Sequence, residues 1–267
     1  MKEKAAGQFL LELAYDGTDF CGWQVQPGQR SVQAVLEEAF ARMTGLAARA
    51  RAASRTDAGV HARGQLACLP DTGRHQPDAL RQGLNHYLPA DAAVRAVRRV
   101  AADFAPRRAA RGKHYRYTIH NHPARPVLER GRRWHLAYAL DERAMQRAAA
   151  ALLGEHDFSA LRGAGCCARH PVRRIDAIRW QRSGEALMLD IWGRAFLKQM
   201  VRNIAGSCVE IGRGRWPAAR MTQIMNSRDR RCAGPTAPAR GLCLERIYLD
   251  EAAYLADCRR AAADSSK

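Results

Sequence analysis

The segment FLLELAY at residues 9–15, followed by SVQAVLEEAFARM at residues 31–43, decides the fold of this chain. The first segment is typical of a strand and ends at the turn pair Asp16-Gly17. The second begins at Ser31, an N-cap residue, and carries apolar residues at helical spacing, so it predicts an amphipathic helix. The chain therefore opens with a β-α unit.

The rest of the first hundred residues extends this unit. Residues 47–54 and 65–69 are predicted as short strands on either side of a polar loop. A second helix is predicted from Pro77 to Tyr87, because proline is favoured in the first helical turn, and a strand at residues 93–100 follows it. The order β-α-β-β-α-β is that of a ferredoxin-like half.

The second half repeats the order with longer insertions. Strands are predicted at residues 113–120, 174–182, 186–192 and 242–249, a helix capped by Asp141 is predicted to end at Gly154, and a longer helix carries Leu197 to Ile211. We therefore predict an α+β fold of two ferredoxin-like halves related by a pseudo-repeat, with mainly antiparallel sheets and a central cleft. The predicted domains are residues 1–103 and 104–267, and the Ala-rich tail from Glu251 is predicted to be peripheral.

The charge of the chain is strongly positive and unevenly placed. It has 44 Lys and Arg against 26 Asp and Glu, a net charge of +18. Residues 1–103 hold 13 basic and 11 acidic residues, whereas residues 104–267 hold 31 and 15. Such an excess favours a polyanionic partner, because each neutralised phosphate releases counterions. Biased codon usage is the alternative, since 39 of the basic residues are Arg.

The cysteine spacing and the hydropathy pattern argue against a metal-binding, secreted or membrane protein. The eight cysteines form no Cys-x-x-Cys pair, and Cys166-Cys167 are adjacent, so we expect reduced thiols and no metal. No run of 18 apolar residues and no secretory pattern is present, which predicts a cytoplasmic protein without a membrane span. A P-loop, a dinucleotide fingerprint and an HExxH helix are also absent from the sequence, so no cofactor is expected.

The polar loop at residues 54–65, SRTDAGVHARGQ, has two interpretations. Asp57 can form an Asx turn in which Gly59 takes a positive φ, and the residues alone favour this structural role. Alternatively, Arg55 and Arg63 keep Asp57 ionised, so that its carboxylate serves as a nucleophile or base. His61 is interpreted as a hydrogen-bonding residue without a chemical role.

The string RTDAGVHARGQ closely resembles the catalytic loop of the TruA family of tRNA pseudouridine synthases, and other motifs follow in the order of that family. These are Tyr15-Asp16-Gly17, Gly22-Trp23-Gln24, Ser31-Val32-Gln33, Lys113-His114-Tyr115-Arg116-Tyr117, Phe158 to Arg162, Met200-Val201-Arg202-Asn203 and Ala237 to Leu242. The resemblance covers roughly residues 9–249. Two places depart from the family pattern: the strand at residues 66–70, LACLP, and the Cys166-Cys167 pair.

The resemblance implies roles for individual residues. Asp57 is the expected catalytic aspartate, Tyr115 stacks on the target base, Arg55 fills the place that a flipped base leaves, and Arg202 is the basic partner of the aspartate. The expected RNA contacts are Phe104, Arg107, Arg108, Gly165, Cys166, Cys167, Ala168 and Arg169. Structural alternatives stay open: one of Tyr115 and Tyr117 faces a core, and Arg202 with Lys198 forms the solvated face of a helix.

The activity that the resemblance implies is isomerisation of uridine to pseudouridine at positions 38, 39 and 40 of the tRNA anticodon stem-loop. It also implies base flipping, no cofactor or metal, and a homodimer. Two other classes compete with this hypothesis. A non-catalytic RNA-binding protein would share the charge, but no RNP1-like run occurs, and a thiol-redox enzyme would need a Cys-x-x-Cys pair.

Overall fold

The predicted first strand and first helix both form, in a computed structural model that describes residues 7–264. Two compact units are present: an N-terminal unit, Met1–Ala110 with Leu244–Leu249, and a C-terminal unit, Arg111–Cys243 with Asp250–Lys267. The chain termini at residues 1 and 267, which bound the predicted domains, lie outside the described residues. The domain division predicted after residue 103 stays a prediction.

The N-terminal unit follows the predicted order of strands and helices. Its elements are β1 (Gln8–Tyr15), α1 (Val32–Thr44), β2 (Arg51–Ala52), β3 (His61–Pro70), α2 (Pro77–Tyr87), β4 (Ala92–Val100) and the short α3 (Pro106–Ala109). The Oγ of Ser31 accepts the Ala34 N–H at the start of α1, and Gly45, with a φ of 73°, ends that helix. Both predicted helix starts are therefore confirmed.

Strand β1 lies at the centre of the sheet in this unit. It pairs antiparallel with β3 on one side, where Leu11 lies opposite Ala67, and with β4 on the other, where Leu11 lies opposite Val97. The short β2 pairs with the far end of β3. Large apolar side chains from β1, α1 and α2 fill the core: Phe9, Leu11, Leu13, Leu36, Phe40, Leu80 and Leu84.

Two predicted strand limits in this unit are wrong. Only Arg51 and Ala52 form the strand expected at residues 47–54, and β3 begins at His61 rather than at residue 65. The pairing of Ala62 with Tyr15 of β1 extends β3 backwards into the polar loop. Partner pairing, which a single sequence does not display, overrides the polar composition here.

The C-terminal unit is larger. Its elements are β5 (Gly112–Asn121), β6 (Trp134–Leu136), α4 (Glu142–Ala150), β7 (Gly154–Asp157), β8 (Val172–Ser183), β9 (Ala186–Gly193), α5 (Met200–Gly212), α6 (Arg220–Ser227) and α7 (Glu251–Asp264), together with the first two residues of β10 (Leu242–Tyr248). Strands β5, β9, β8 and β7 are neighbours in that order and pair antiparallel, while β6 runs parallel to β5. Most of β10, from Leu244 onward, belongs to the N-terminal unit, where it lies beside β3.

The structure thus has the mixed α+β architecture and mostly antiparallel strands that the sequence predicts, and the predicted fold class is confirmed. Within the described part of the chain, none of the helices has the length and apolar character that spanning a membrane requires.

Three further details of the C-terminal unit differ from prediction. Helix α4 ends at Ala150, because Gly154, with a φ of 91°, opens β7 instead of closing the helix. Helix α5 begins at Met200, after Gln199 adopts a left-handed backbone with a φ of 59°, so Leu197 precedes the helix. Beyond Glu251 the chain is helical and packs against β8, with Tyr254 buried and its hydroxyl donating to Asp176, so the prediction of a peripheral tail is wrong.

The buried carboxylate of Asp190, on β9, binds polar side chains of the neighbouring strands β5 and β8 in the C-terminal unit. Its oxygens lie 2.6 Å from Nε2 of His114, 2.8 Å from Nε of Arg116 and 2.9 Å from Nε2 of Gln181. Burial on its own raises the pKa of Asp190, but the hydrogen bonds from His114 and Arg116 outweigh it and hold this pKa below its usual value. The carboxylate therefore remains ionised inside the protein.

Candidate active site

The loop that carries Asp57 connects β2 to β3, and we call residues 54–60 the Asp57 loop. Gln65 of β3, which is fully buried, fixes the base of this loop. Its Nε2 donates to the carbonyl of Ser54 at 2.8 Å, and its Oε1 accepts the Ser54 N–H at 3.3 Å. A buried side chain thus satisfies both backbone groups of Ser54, which would otherwise be costly to bury.

The middle of the Asp57 loop rests on the segment that follows β1. The hydroxyl groups of Tyr15 and Thr56 are 2.8 Å apart, and the Trp23 N–H donates to the carbonyl of Thr56 at 3.1 Å. Gly22 has a φ of 100°, and a Cβ at this position would lie 2.6 Å from the Thr56 oxygen. Glycine is therefore required here both for its backbone conformation and for close approach.

Asp57 begins a tight turn. The Val60 N–H donates to the Asp57 carbonyl at 3.2 Å, and Gly59 has a φ of 75°, which confirms the positive φ predicted for it. The Gly59 N–H in turn donates to the carbonyl of Phe20. The turn leaves the side chain of Asp57 partly exposed and that of Arg55 exposed, which is the arrangement that a reactive carboxylate needs to meet a substrate.

His61, next to this turn, has a structural role. Its ring is buried, and its Nδ1 accepts the Gly17 N–H at 3.0 Å. Asp16 Oδ1 lies 3.1 Å from the same nitrogen and accepts from both the N–H and the hydroxyl of Thr18. These contacts make His61 a hydrogen-bonding residue, as the sequence predicts.

In the C-terminal unit, Tyr115 and Tyr117 lie two residues apart on β5 and share one face of the strand. Both are buried, Tyr115 with 6% of its surface exposed. The structural alternative, that one of them faces a core, therefore holds for both. The Tyr115 ring makes an edge-on contact with Phe196 at 5.2 Å between ring centroids, which fixes its orientation. Tyr117 donates from its hydroxyl to the Pro238 carbonyl at 2.8 Å, and burial raises its pKa although Arg202 and Arg240 act in the opposite direction.

Arg202 lies in the first turn of α5 and binds the segment before β10. Its Nε donates to the Ala237 carbonyl at 2.7 Å, and the Ala237 N–H donates back to the Arg202 carbonyl at 3.2 Å. Lys198 precedes the helix, so the alternative that Arg202 and Lys198 form one solvated helix face is wrong. Arg202 instead holds residues 237–238, whose Pro238 carbonyl also binds Tyr117.

A buried polar network centred on Asn203 lies beside Arg202 and was not predicted from the sequence. Nδ2 of Asn203 donates to the Leu161 carbonyl at 2.9 Å, and its Oδ1 accepts from Thr236 at 2.7 Å and from Arg230 at 3.1 Å. Leu161 lies in the motif Phe158 to Arg162 and Thr236 adjoins the motif Ala237 to Leu242, whereas Arg230 lies outside the motifs. The available signal was an amide side chain among apolar residues of a helix, Met200-Val201-Arg202-Asn203-Ile204.

The two stretches predicted to contact RNA are both at the surface. Phe104 accepts at its carbonyl from Gln8 and Arg51, and it precedes α3, on which Arg107 and Arg108 are exposed. These residues belong to the N-terminal unit, together with Arg55 and Asp57.

The second stretch, Gly165 to Arg169, lies in the loop before β8. Nη2 of Arg162 donates to the Ala168 carbonyl at 2.9 Å and to the Cys166 carbonyl, so the guanidinium shapes this loop from inside. Burial opposes ionisation of the Cys166 thiol, yet backbone hydrogen bonds from Lys198 and Ala168 and the nearby Arg162 hold its pKa below the usual value. Cys167 and Arg169 are exposed, and all eight cysteines are free thiols. This stretch belongs to the C-terminal unit with Tyr115 and Arg202.

Comparison with known proteins agrees with the family motifs found in the sequence. A family model described as tRNA pseudouridine synthase matches residues 13–107 and 148–250. A tRNA pseudouridine synthase A of Myxococcus xanthus is 49% identical over 240 residues, which cover 89% of this chain and 90% of that protein. One of Geobacter sulfurreducens is 48% identical, covering 89% and 97%, and one of Methylobacterium nodulans is 42% identical, covering 93% and 98%.

Among solved structures, the archaeal box H/ACA sRNP Nop10–Cbf5 complex is similar to 75% of this chain and 44% of that chain, at 13% identity. The TM-score of this match is 0.33. The sequence relatives cover about nine tenths of the chain at more than 40% identity, and the family model matches most of it. On these grounds the chain belongs to the tRNA pseudouridine synthase family and is an isomerase.

Proposed function

We propose that this enzyme converts uridine to pseudouridine at positions 38, 39 and 40 of the tRNA anticodon stem-loop, and that Asp57 is its essential catalytic residue. The observation that carries the proposal is the construction of the Asp57 loop. Gln65, Tyr15 and Trp23 hydrogen-bond to Ser54 and Thr56, so the residues before Asp57 are fixed, and Asp57 itself is partly exposed. A preorganised carboxylate of this kind suits the reaction.

The chemistry needs few groups. The N1 glycosidic bond of uridine breaks, the uracil turns, and a new bond forms between C1′ of the ribose and C5 of the base. The C5 proton is released to solvent and N1 takes up a proton, so that the product is an isomer of the substrate. No electrons are exchanged with an outside reagent. A single ionised carboxylate can assist the departure of uracil, either by addition to the base or by acting on the ribose.

Base flipping is part of the proposal, because a base within a paired stem is out of reach of a carboxylate on the protein. Extruding a base costs a few kcal/mol. Arg55 is exposed two residues before Asp57 and can occupy the vacated stack. Stacking of a flipped base on an aromatic ring contributes about 1–3 kcal/mol, and we assign this contact to Tyr115, whose ring orientation is set by Phe196. Arg202 is proposed as the basic residue that supports the aspartate.

The proposal also includes RNA contacts, a homodimer and a cellular compartment. Exposed Arg107, Arg108 and Arg169 supply phosphate contacts in the two predicted RNA-binding stretches, which include Phe104 and Gly165 to Ala168. The TruA resemblance supports a homodimer. The pattern of free cysteines supports function in a reducing compartment, the cytoplasm.

The test is an Asp57→Asn variant assayed on tRNA tritiated at uracil C5. The substitution keeps the shape of the side chain and removes its charge, so we expect tritium release to fall at least 1,000-fold while the tRNA Kd changes less than threefold. Asp78→Asn, an exposed acid at the start of α2, is the matched control and should retain full activity.

Turnover by purified Asp57→Asn protein within tenfold of the wild type would overturn the catalytic assignment. If the wild-type protein binds tRNA and releases no tritium, the chain is a non-catalytic RNA-binding protein, the competing class.

A further inference from the structure

His120 lies at the C-terminal end of β5, His122 directly follows the last residue of that strand, and Glu185 lies in the turn between β8 and β9. The two histidine rings are neighbours, with their centroids 6.0 Å apart. The Asn121 N–H donates to the Glu185 carbonyl at 2.8 Å, which fixes the turn opposite the residue between the two histidines. The backbone thus holds two imidazoles and one carboxylate together.

The distances within this group fit a metal ion. Nε2 of His120 is 3.6 Å from one Glu185 oxygen, and Nε2 of His122 is 3.6 Å from the other. One ligand atom from each of the three residues lies within 4.8 Å of the other two. Four-coordinate zinc with bonds of about 2.0–2.2 Å places its ligand atoms roughly 3.3–3.6 Å apart. Small rotations of the side chains therefore close the group around an ion.

Burial differs among the three residues in a way that suits an open site. The side chain of His120 is 5% exposed, whereas those of His122 and Glu185 are 43% and 54% exposed. The buried imidazole supplies a rigid ligand, and the two others can rotate to close on the ion. Solvent then reaches the remaining coordination positions, as in sites with three protein ligands.

Neighbouring groups support the histidine rings. Nδ1 of His122 accepts the Ala124 N–H at 3.1 Å, and Nε2 of His120 lies 3.1 Å from the Ala124 carbonyl, a contact that an ion bound at Nε2 replaces. His135 approaches both histidines: its Nε2 lies 2.9 Å from the His122 carbonyl, and its ring centroid is 5.7 Å from that of His120. The guanidinium of the nearby Arg182 binds Glu142 and the Asn121 side chain, so its charge is already compensated.

We propose that His120, His122 and Glu185 bind one divalent transition-metal ion, Zn²⁺ in the cell, which ties the end of β5 to the turn between β8 and β9. Two imidazoles and a carboxylate form the ligand set that first-row transition metals prefer over Mg²⁺ or Ca²⁺. The site lies outside the residues assigned to pseudouridine formation, so it stands independently of that proposal. This site was not predicted from the sequence, because Glu185 is distant in sequence from His120 and His122.

The experiment is a titration of the full-length protein with Co²⁺, whose visible absorption reports the ligand set. We expect one ion per chain, no thiolate-to-metal charge-transfer band, and loss of the signal when Zn²⁺ is added, because Zn²⁺ binds such sites more tightly. The thermal midpoint of the protein should rise with Co²⁺, since the ion binds only the folded chain.

The informative variants are His122→Ala and Glu185→Gln, which change exposed side chains and leave the buried His120 in place. Each should weaken Co²⁺ binding at least tenfold and abolish the rise in thermal midpoint. His170→Ala, which removes an exposed histidine elsewhere in the same unit, is the matched control and should bind as the wild type does. Absence of stoichiometric binding, a thiolate charge-transfer band, or undiminished binding by either ligand variant would overturn the proposal.

Discussion

Gln65 is a single buried amide on which the conformation of the Asp57 loop depends. It binds both backbone groups of Ser54, and its Nε2 is 3.4 Å from the Tyr15 hydroxyl, which in turn binds Thr56. Residues that touch no substrate thus determine where the carboxylate of Asp57 lies. A displacement of about 1 Å at a reacting group can cost a hundredfold in rate.

A substitution at Gly22 tests most directly whether contacts to the Asp57 loop control the activity. A Gly22→Ala change must accept a φ of 100° and place its Cβ 2.6 Å from the Thr56 carbonyl. Gly28→Ala is the matched control, because Gly28 also has a positive φ, 71°, but nothing lies within 4 Å of its Cβ. We expect Gly28→Ala to lose about 1–2 kcal/mol of stability from backbone strain alone.

Gly22→Ala should lose about 1–3 kcal/mol more than the control, from the added clash, together with at least tenfold in kcat. Urea denaturation and tritium release measure the two effects. Equal losses of stability in the two variants would show that the close approach to Thr56 has no importance for folding.

Arg55 carries a second prediction at this scale. Arg55→Ala should reduce pseudouridine formation at least tenfold on an anticodon stem-loop whose target uridine is paired, because the cost of extrusion is no longer offset. The loss should be less than threefold on a stem-loop whose target uridine is already unpaired. Single-turnover rates on the two RNAs provide the comparison, with Arg74→Ala as an exposed arginine control. The same loss on both substrates would contradict a role in flipping.

Among the elements, β9 contributes a carboxylate whose ionisation stabilises the C-terminal unit. Because the pKa of Asp190 is lowered in the folded protein, its contribution is present above the unfolded value of about 3.9 and is lost as pH falls through the folded value. Removing the charge leaves His114 and Arg116 without their partner, which we expect to cost about 2–3 kcal/mol, since Arg116 is partly exposed.

The prediction concerns the difference in unfolding free energy between the wild type and Asp190→Asn. This difference should be constant between pH 5 and pH 7 and should shrink as the pH falls below about 4, because the wild type then loses the same charge. Denaturant unfolding at a series of pH values measures it, and Asp103→Asn, an exposed acid, should show no such dependence. A difference that grows in acid would contradict the assignment.

Helices were more predictable from the sequence than strand limits. Helix α2 spans Pro77–Tyr87 as predicted, because Pro77 starts it and Pro89 follows its end. The start of β3 was not predictable, since it depends on pairing with Tyr15 of β1. The tail from Glu251 was predicted to be peripheral because it is Ala-rich, whereas in the folded chain it is a helix with Tyr254 buried and bound to Asp176.

At the scale of the whole molecule, the motif order of the sequence predicted the family and the residues to inspect, whereas contacts between distant residues were not visible. Asn203, Arg230 and Thr236 come together only in the folded chain, as do His122 and Glu185. The positive φ of Gly59 and the structural role of His61 were predictable, because turn chemistry is local. The catalytic roles of Asp57, Arg55, Tyr115 and Arg202 remain predictions.

The net charge of +18 gives a prediction for the whole molecule. A basic surface that binds tRNA phosphates makes the Kd rise steeply with salt concentration. For 6–10 phosphate contacts, the Kd should increase by a factor of about 10³–10⁵ between 50 and 200 mM salt. Filter binding at four salt concentrations measures the slope of log Kd against log salt, and a triple Arg107→Ala, Arg108→Ala, Arg169→Ala variant should lower it by about 2–3. A nearly flat plot for the wild type would show that the arginines reflect composition rather than RNA binding.

Strand β10 has a consequence for how the chain is made. Residues 244–249 complete the sheet that supports the Asp57 loop, yet the ribosome synthesises them after almost the entire C-terminal unit. Until they emerge, the nascent N-terminal segment exposes unpaired hydrogen-bonding groups along β3, which invite association with other chains. A premature stop before residue 242 therefore produces a fragment that contains every residue of the Asp57 loop but lacks its supporting strand. The framework of a loop encoded near the beginning of the chain is thus completed only when the last strand has been translated.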